Sequence, residues 1–94
     1  MRAAKPDANQ AAIVAALRQV GCVVTDTRRL GDGFPDIFCF VPSSGQIHVL
    51  EVKSTGGRLT PAEKRWHALH AGCEYVHIVF NVDEAFEACG VQVV

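Results

Sequence analysis

The sequence predicts one small domain of the α/β class, an α+β arrangement around a mixed sheet with the element order α-β-β-β-α-β-α. Three features predict it. Apolar residues recur at helical spacing near the start, three short runs of β-branched and aromatic residues follow with turn residues between them, and a strongly capped helix separates the third run from a fourth. Ninety-four residues, 49% of them hydrophobic, suffice for a single two-layer core, so residues 1–94 are read as one domain.

The first helix is expected from Asp7 to Val20, because Ile13, Val14, Leu17 and Val20 share one face and Gly21 stops it. Asp7 and Gln10 have the spacing of a capping box. Cys22 to Arg28 reads as the first strand, closed by Leu30-Gly31-Asp32-Gly33. Ile37 to Val41 and Ile47 to Lys53 are the second and third strands, joined by the hairpin loop Pro42-Ser43-Ser44-Gly45. Ser54 to Arg58 is a glycine-containing loop. Thr60-Pro61-Ala62-Glu63 then supplies an N-cap, a proline at the first helical position and a capping glutamate, so a second helix runs to His70 or Ala71. Tyr75 to Phe80 is the fourth strand. Asn81 or Asp83 caps a short third helix ending at Gly90, and Val91 to Val94 form an edge strand or a tail.

A helix joins the third strand to the fourth, so these two lie parallel through a right-handed crossover, while the first three strands form an antiparallel meander. The second and third strands are apolar at nearly every position. That pattern predicts cover on both sheet faces, by helices on at least one, with a partner subunit as a candidate for the other.

No apolar stretch approaches the ~20 residues of a bilayer-spanning helix, and the N-terminus lacks a signal-peptide core. The expected location is the cytoplasm of a bacterial or phage-infected cell. Cys22, Cys39, Cys73 and Cys89 stand singly and read as small buried hydrophobes. The net charge of −1 conceals an asymmetry. Residues 1–65 hold all nine basic groups and six acidic ones, net +3, whereas residues 66–94 hold four acids and no base. A polyanion would meet the first two-thirds of the chain, although a solvated scatter of charges explains the pattern equally well.

Alternation along the third strand places Ile47, Val49, Glu51 and Lys53 on one face. A four-residue hairpin loop sets Val41 opposite Gln46, and counting back sets Asp36 opposite Glu51. Two carboxylates side by side repel, so the fold requires a cation between them. Lys53 offers one charge, and a divalent ion with a taste for oxygen, Mg²⁺ or Mn²⁺, offers more. A metal so held polarises a phosphodiester and acidifies a bound water, beside an ammonium that orients or deprotonates that water.

Pro35-Asp36, fourteen intervening residues and Glu51-Val52-Lys53 resemble the PD-(D/E)xK signature of metal-dependent nucleases, whose αβββαβ restriction-endonuclease-like core matches the order derived above with a short C-terminal helix added. Gly33-Phe34-Pro35-Asp36, Leu50-Glu51-Val52-Lys53, Leu59-Thr60-Pro61, Glu63 and Trp66 resemble the small VRR-NUC-type domains of phages and bacteria, relatives of Holliday-junction resolvases. The resemblance implies Asp36 and Glu51 as metal ligands, the Val52 backbone carbonyl as a third, and Lys53 as the catalytic lysine. It also implies an acid on the first helix, for which Asp7 or Gln10 stands, and a glutamine on the second, where this chain has Glu63.

Each accessory residue also has a plain structural reading. Asp7, Gln10 and Glu63 read first as helix caps and second as site residues, and Gly56-Gly57-Arg58 is either a phosphate-approaching loop or a linker. His67, His70 and Cys73 share a side of the second helix without the ligand set of a transition-metal site. His48 opposite Cys39 reads as a core or interface pair, and Trp66 as packing. The expected function is a Mg²⁺- or Mn²⁺-dependent endonuclease acting on branched or flapped DNA as a homodimer. Arg28, Arg29, Arg58, Lys64 and Arg65 are its candidate phosphate contacts. The alternative is a catalytically inactive DNA-binding module of the same fold.

Overall fold

The structure is a computed structural model that describes residues 8–92. Asp7, one of the two first-helix candidates, lies outside the described residues, as do Val93 and Val94. Helix α1 (Ala8–Gln19) buries Gln10, Ile13 and Leu17 on one face, as the 3.6-residue period requires. It is followed by β1 (Val23–Asp26), β2 (Ile37–Val41) and β3 (Gln46–Val52). Then come α2 (Pro61–Leu69), β4 (Val76–Val79) and α3 (Val82–Cys89). Asn81 caps α3 by accepting the Glu84 N–H, and Gly90 ends it in the left-handed conformation.

The four strands stand in the order β1-β2-β3-β4, with the first two pairings antiparallel and the third parallel. The hairpin register is the expected one: Val41 faces Gln46, Phe40 faces Ile47 and Phe38 faces Val49. Helices α1 and α3 pack together on one sheet face. Ile13, Leu17, Ala85 and Cys89 there bury Val24, Ile37, Cys39, Val41, Leu50, Val52 and Val79. Cys22, Cys39 and Cys89 are free thiols within this core, as expected of small hydrophobes, and Cys73 is exposed.

Three expectations need correction. The first strand is shorter than Cys22 to Arg28, because the Asp26 carboxylate turns back to accept the Arg28 N–H at 3.0 Å and pairs with its guanidinium at 2.9 Å. The fourth strand stops before Phe80, whose N–H donates to Glu84 Oε1 at the start of α3. Of the two readings given for the residues after Gly90, Val91 and Gln92 fit the tail, since they carry no strand. The second sheet face is covered at one end only, by α2, so Val23, Ile47 and Ile78 remain 57%, 46% and 41% exposed.

The crossover also brings together two histidines far apart in sequence. His48 Nδ1 and His77 Nε2 lie 3.0 Å apart, with Gln46 Oε1 3.2 Å from the other His48 nitrogen and Tyr75 edge-on to the ring. Burial lowers the pKa of both, and the mutual proximity lowers that of His77 further. The unfolded chain therefore takes up protons near pH 6.5 that the folded pair resists, so stability is full above that pH and declines as pH falls below it. Followed by circular dichroism, the Tm of the wild type relative to that of His77→Gln should fall as pH drops from 7.5 to about 5, because the variant loses the pair's contribution to the slope. An unchanged slope in the variant would disprove the assignment.

Candidate active site

The segment entering β2 is anchored before it delivers Asp36. Thr27 Oγ1 donates to the Pro35 carbonyl at 2.7 Å, and the Thr27 N–H donates to the Asp36 carbonyl at 2.8 Å. The Asp36 N–H then joins the ladder by donating to the Leu50 carbonyl at 3.0 Å. Asp36 Oδ2 accepts the Val52 N–H at 2.9 Å, so one oxygen of its carboxylate is locked against β3. Continuing the observed register sets Asp36 opposite Glu51, as the hairpin arithmetic requires.

Glu51 is completely buried, and neither carboxylate oxygen has a hydrogen-bond partner. Burial, followed by the adjoining Asp36 carboxylate, pushes its pKa up to about 9. Lys53 Nζ lies 3.6 Å from Glu51 Oε2 and 2.9 Å from Glu63 Oε1. Burial opposes the charge on Lys53, but Glu63, Glu51 and Asp36 outweigh it, and the Lys53 pKa is raised. Lys53 thus stands as an ammonium bracketed by carboxylates.

Helix α2 supplies the opposite wall. Thr60 and Glu63 form the expected capping box, the Thr60 side chain accepting the Glu63 N–H while Glu63 Oε1 accepts the Thr60 N–H. The same Oε1 receives Lys53, so the cap and the site readings of Glu63 are both true. Gly33 sits at φ +80°, and a Cβ there would collide with the Ala62 carbonyl and lie 2.9 Å from the Glu63 nitrogen. That close approach sets the loop before Asp36 against the first turn of α2. Phe34 meets Trp66 edge-on at 5.4 Å, and the His70 ring stacks on the indole at 3.8 Å. Trp66 is therefore a packing residue whose ring is already engaged.

His67 is the member of the cluster that sequence reasoning missed. It was considered with His70 and Cys73, yet His70 is stacked on Trp66 and Cys73 is exposed. His67 lies one turn beyond Glu63, and its Nε2 is 3.6 Å from Glu51 Oε1. The i, i+4 spacing of Glu63 and His67 was the available signal. Gln10 is buried, with its Nε2 unpartnered, in the first turn of α1. Its neighbour Asn9 donates to the Lys53 and Phe80 carbonyls at 3.1 and 2.9 Å, pinning that helix end to the ends of β3 and β4.

Of the basic residues, Arg58, Lys64 and Arg65 are exposed in and after the loop that leads into α2. Arg28 and Arg29 are exposed beyond the end of β1, with Arg28 paired to Asp26. A surface groove of about 480 Å³ runs along β4 and α3, lined by His77, Glu84 and Glu87 among others, and contains none of the cluster residues.

The cluster fits a hard divalent cation. Two adjacent carboxylates, one with both oxygens orphaned in the interior, are an arrangement that only added positive charge satisfies. Among the described residues no three His, Cys, Asp or Glu side chains already surround one point. Mg²⁺ and Mn²⁺ accept such a site because they keep several waters and need only one or two carboxylates from the protein.

The fold is that of the PD-(D/E)xK nuclease superfamily, to which the matching family belongs. The family model of the VRR-NUC domain matches residues 3–84, and the chain belongs to that family. A solved structure described as a VRR-NUC domain is similar to 89% of this chain and 92% of its own, with a TM-score of 0.67 and 22% identity. At that identity the likeness is one of fold. No curated protein matches the chain.

Metal-free, the buried Glu51 is held protonated at neutral pH, and that proton uptake costs stability; Glu51→Gln keeps the shape without the cost, so it should raise stability by about 1–3 kcal/mol, seen as a higher Tm. Excess Mn²⁺ should stabilise the wild type and leave Glu51→Gln nearly unchanged. A wild type insensitive to Mn²⁺ would contradict the cation-binding reading of the cluster.

Proposed function

We propose that this protein is a divalent-metal-dependent DNA endonuclease that hydrolyses phosphodiester bonds in branched or flapped DNA. The observation that carries the reading is the fully buried, unpartnered Glu51 carboxylate beside Asp36, with an ammonium at its edge. Asp36, Glu51 and the Val52 backbone carbonyl would hold Mg²⁺ or Mn²⁺, which supplies a Lewis acid for the scissile phosphate and an acidified water. The protein contributes position. The Val52 N–H holds Asp36 Oδ2, while Glu63 holds Lys53 Nζ where its charge would meet the attacking water or a phosphate oxygen. A cationic Lys53 fits a role in orienting and stabilising rather than in removing the proton.

Arg58, Lys64 and Arg65, with Arg28 and Arg29 further off, would track the backbone phosphates. Contacts made to backbone phosphates follow the shape of the DNA rather than its bases, and two copies would span two duplex arms. The partly open sheet face, with Val23, Ile47 and Ile78 exposed on the side that carries Glu51, supports pairing with a second copy.

Cleavage of branched, flapped and linear DNA with Mn²⁺ is the direct test, with Asp36→Ala and Lys53→Ala each expected to lower the rate by about 10²-fold or more. Activity that survives both substitutions overturns the mechanism. DNA binding indifferent to metal, with no cleavage, would instead favour an inactive binding module. Light scattering should give the mass of a dimer for the wild type and of a monomer for Ile47→Asp; a monomeric wild type rules out the pairing.

A further inference from the structure

We propose that His67 is a nitrogen donor to this metal centre, so that the site takes first-row transition ions in preference to Mg²⁺. The inference rests on the metal-binding reading of Asp36 and Glu51 and adds a ligand of different chemistry to it; the three side chains do not already surround one point, so the ion would draw them together as it binds.

Four buried side-chain polar atoms among the described residues lack a hydrogen-bond partner: Gln10 Nε2, both oxygens of Glu51, and His67 Nε2. Three of the four belong to two residues that face each other. Buried polar groups are almost always satisfied, so a concentration of orphans marks a place where something polar is expected to bind. The His67 to Glu51 separation of 3.6 Å also discriminates between roles. It is too long for a hydrogen bond, which excludes the simple reading that the imidazole is there to bond the carboxylate. Two donors that share one ion at ~2.0–2.2 Å each lie roughly 3–3.5 Å apart, close to the distance observed.

The direction of His67 is built in. The capping box and the Lys53 contact hold Glu63, and thereby the rotation of α2 about its axis. His67 follows one turn later on the same face. Its ring packs edge-on against Trp66 at 5.3 Å, and Trp66 is itself wedged between Phe34 and His70. A side chain held by packing on a rigid helix is suited to present one nitrogen at a fixed place.

The chemistry follows from the donor set. Oxygen-only sites suit Mg²⁺, whereas an imidazole nitrogen favours transition ions in the Irving–Williams order and adds little for Mg²⁺. Mn²⁺ is a useful probe because it is paramagnetic and tolerates both donor types.

The test is pulsed electron paramagnetic resonance on the full chain loaded with Mn²⁺, reading electron spin-echo modulation from coordinated ¹⁴N. Wild type should show that modulation, and His67→Leu and His67→Gln should lose it while Lys53 is retained in both. Calorimetry should show Co²⁺ affinity at least about tenfold weaker in His67→Gln, with Mg²⁺ affinity little changed. Mn²⁺ that binds in an Asp36-dependent way without ¹⁴N modulation, or modulation that persists in the variants, overturns the inference and leaves the proposed function standing. Failure of the wild type to bind Mn²⁺ at all overturns both. The wild-type spectrum decides the question even if a variant does not fold.

Discussion

A carboxylate taken wholly out of water at the end of β3, with a second carboxylate beside it, is the constraint around which the rest of this domain is arranged. Glu51 has no hydrogen bond to offset its lost hydration, so burial and the neighbouring Asp36 hold it protonated, its pKa pushed up to about 9, unless a cation is near. The fold tolerates it because the opposite face of the same strand is apolar. Leu50 and Val52 are buried beneath α1 and α3, and their packing keeps β3 where it is whether or not Glu51 is content. Apolar burial on one face thus holds an electrostatic conflict in place on the other, one that a proton on Glu51 relieves and that a bound cation would relieve as well.

The neighbouring elements use ordinary folding devices to aim side chains at this point. The capping box of α2 is a local stabiliser of about 1 kcal/mol, and the same Glu63 oxygen that completes it also holds Lys53. Thr27 satisfies the Pro35 carbonyl and so steadies the residue before Asp36. Gly33 permits the loop to touch α2, because any side chain would strike the Ala62 carbonyl. Residues with a structural explanation and residues with a chemical one are here the same residues. Choosing between the two readings for Glu63 would have been an error.

Much of this was legible beforehand because it depends on short-range rules. Loop length and side-chain alternation set the β2–β3 register, and from it the meeting of Asp36 with Glu51 follows by counting. Thr60, Pro61 and Glu63 announced the start of α2 through capping chemistry alone. The pairing of His48 with His77 was not legible, since a parallel crossover places no tight turn between its strands and so sets no register by counting. His67 was missed for a related reason. Its spacing from Glu63 was visible, but the rotation that turns this helix face toward Glu51 arises from contacts with Lys53, Phe34 and Gly33, all distant in sequence.

The sequence by itself determined the order of elements, the hairpin that sets two acids side by side, the ExK strand end and the family they belong to. Each is encoded in periodicity, caps and turn length, which act over a few residues. Only the tertiary structure decided that Glu51 is fully dehydrated, that Lys53 is shared between two glutamates, and that an imidazole stands beside the carboxylate. Burial and charge coupling are properties of how α2 lies across the sheet, and no local rule specifies that angle.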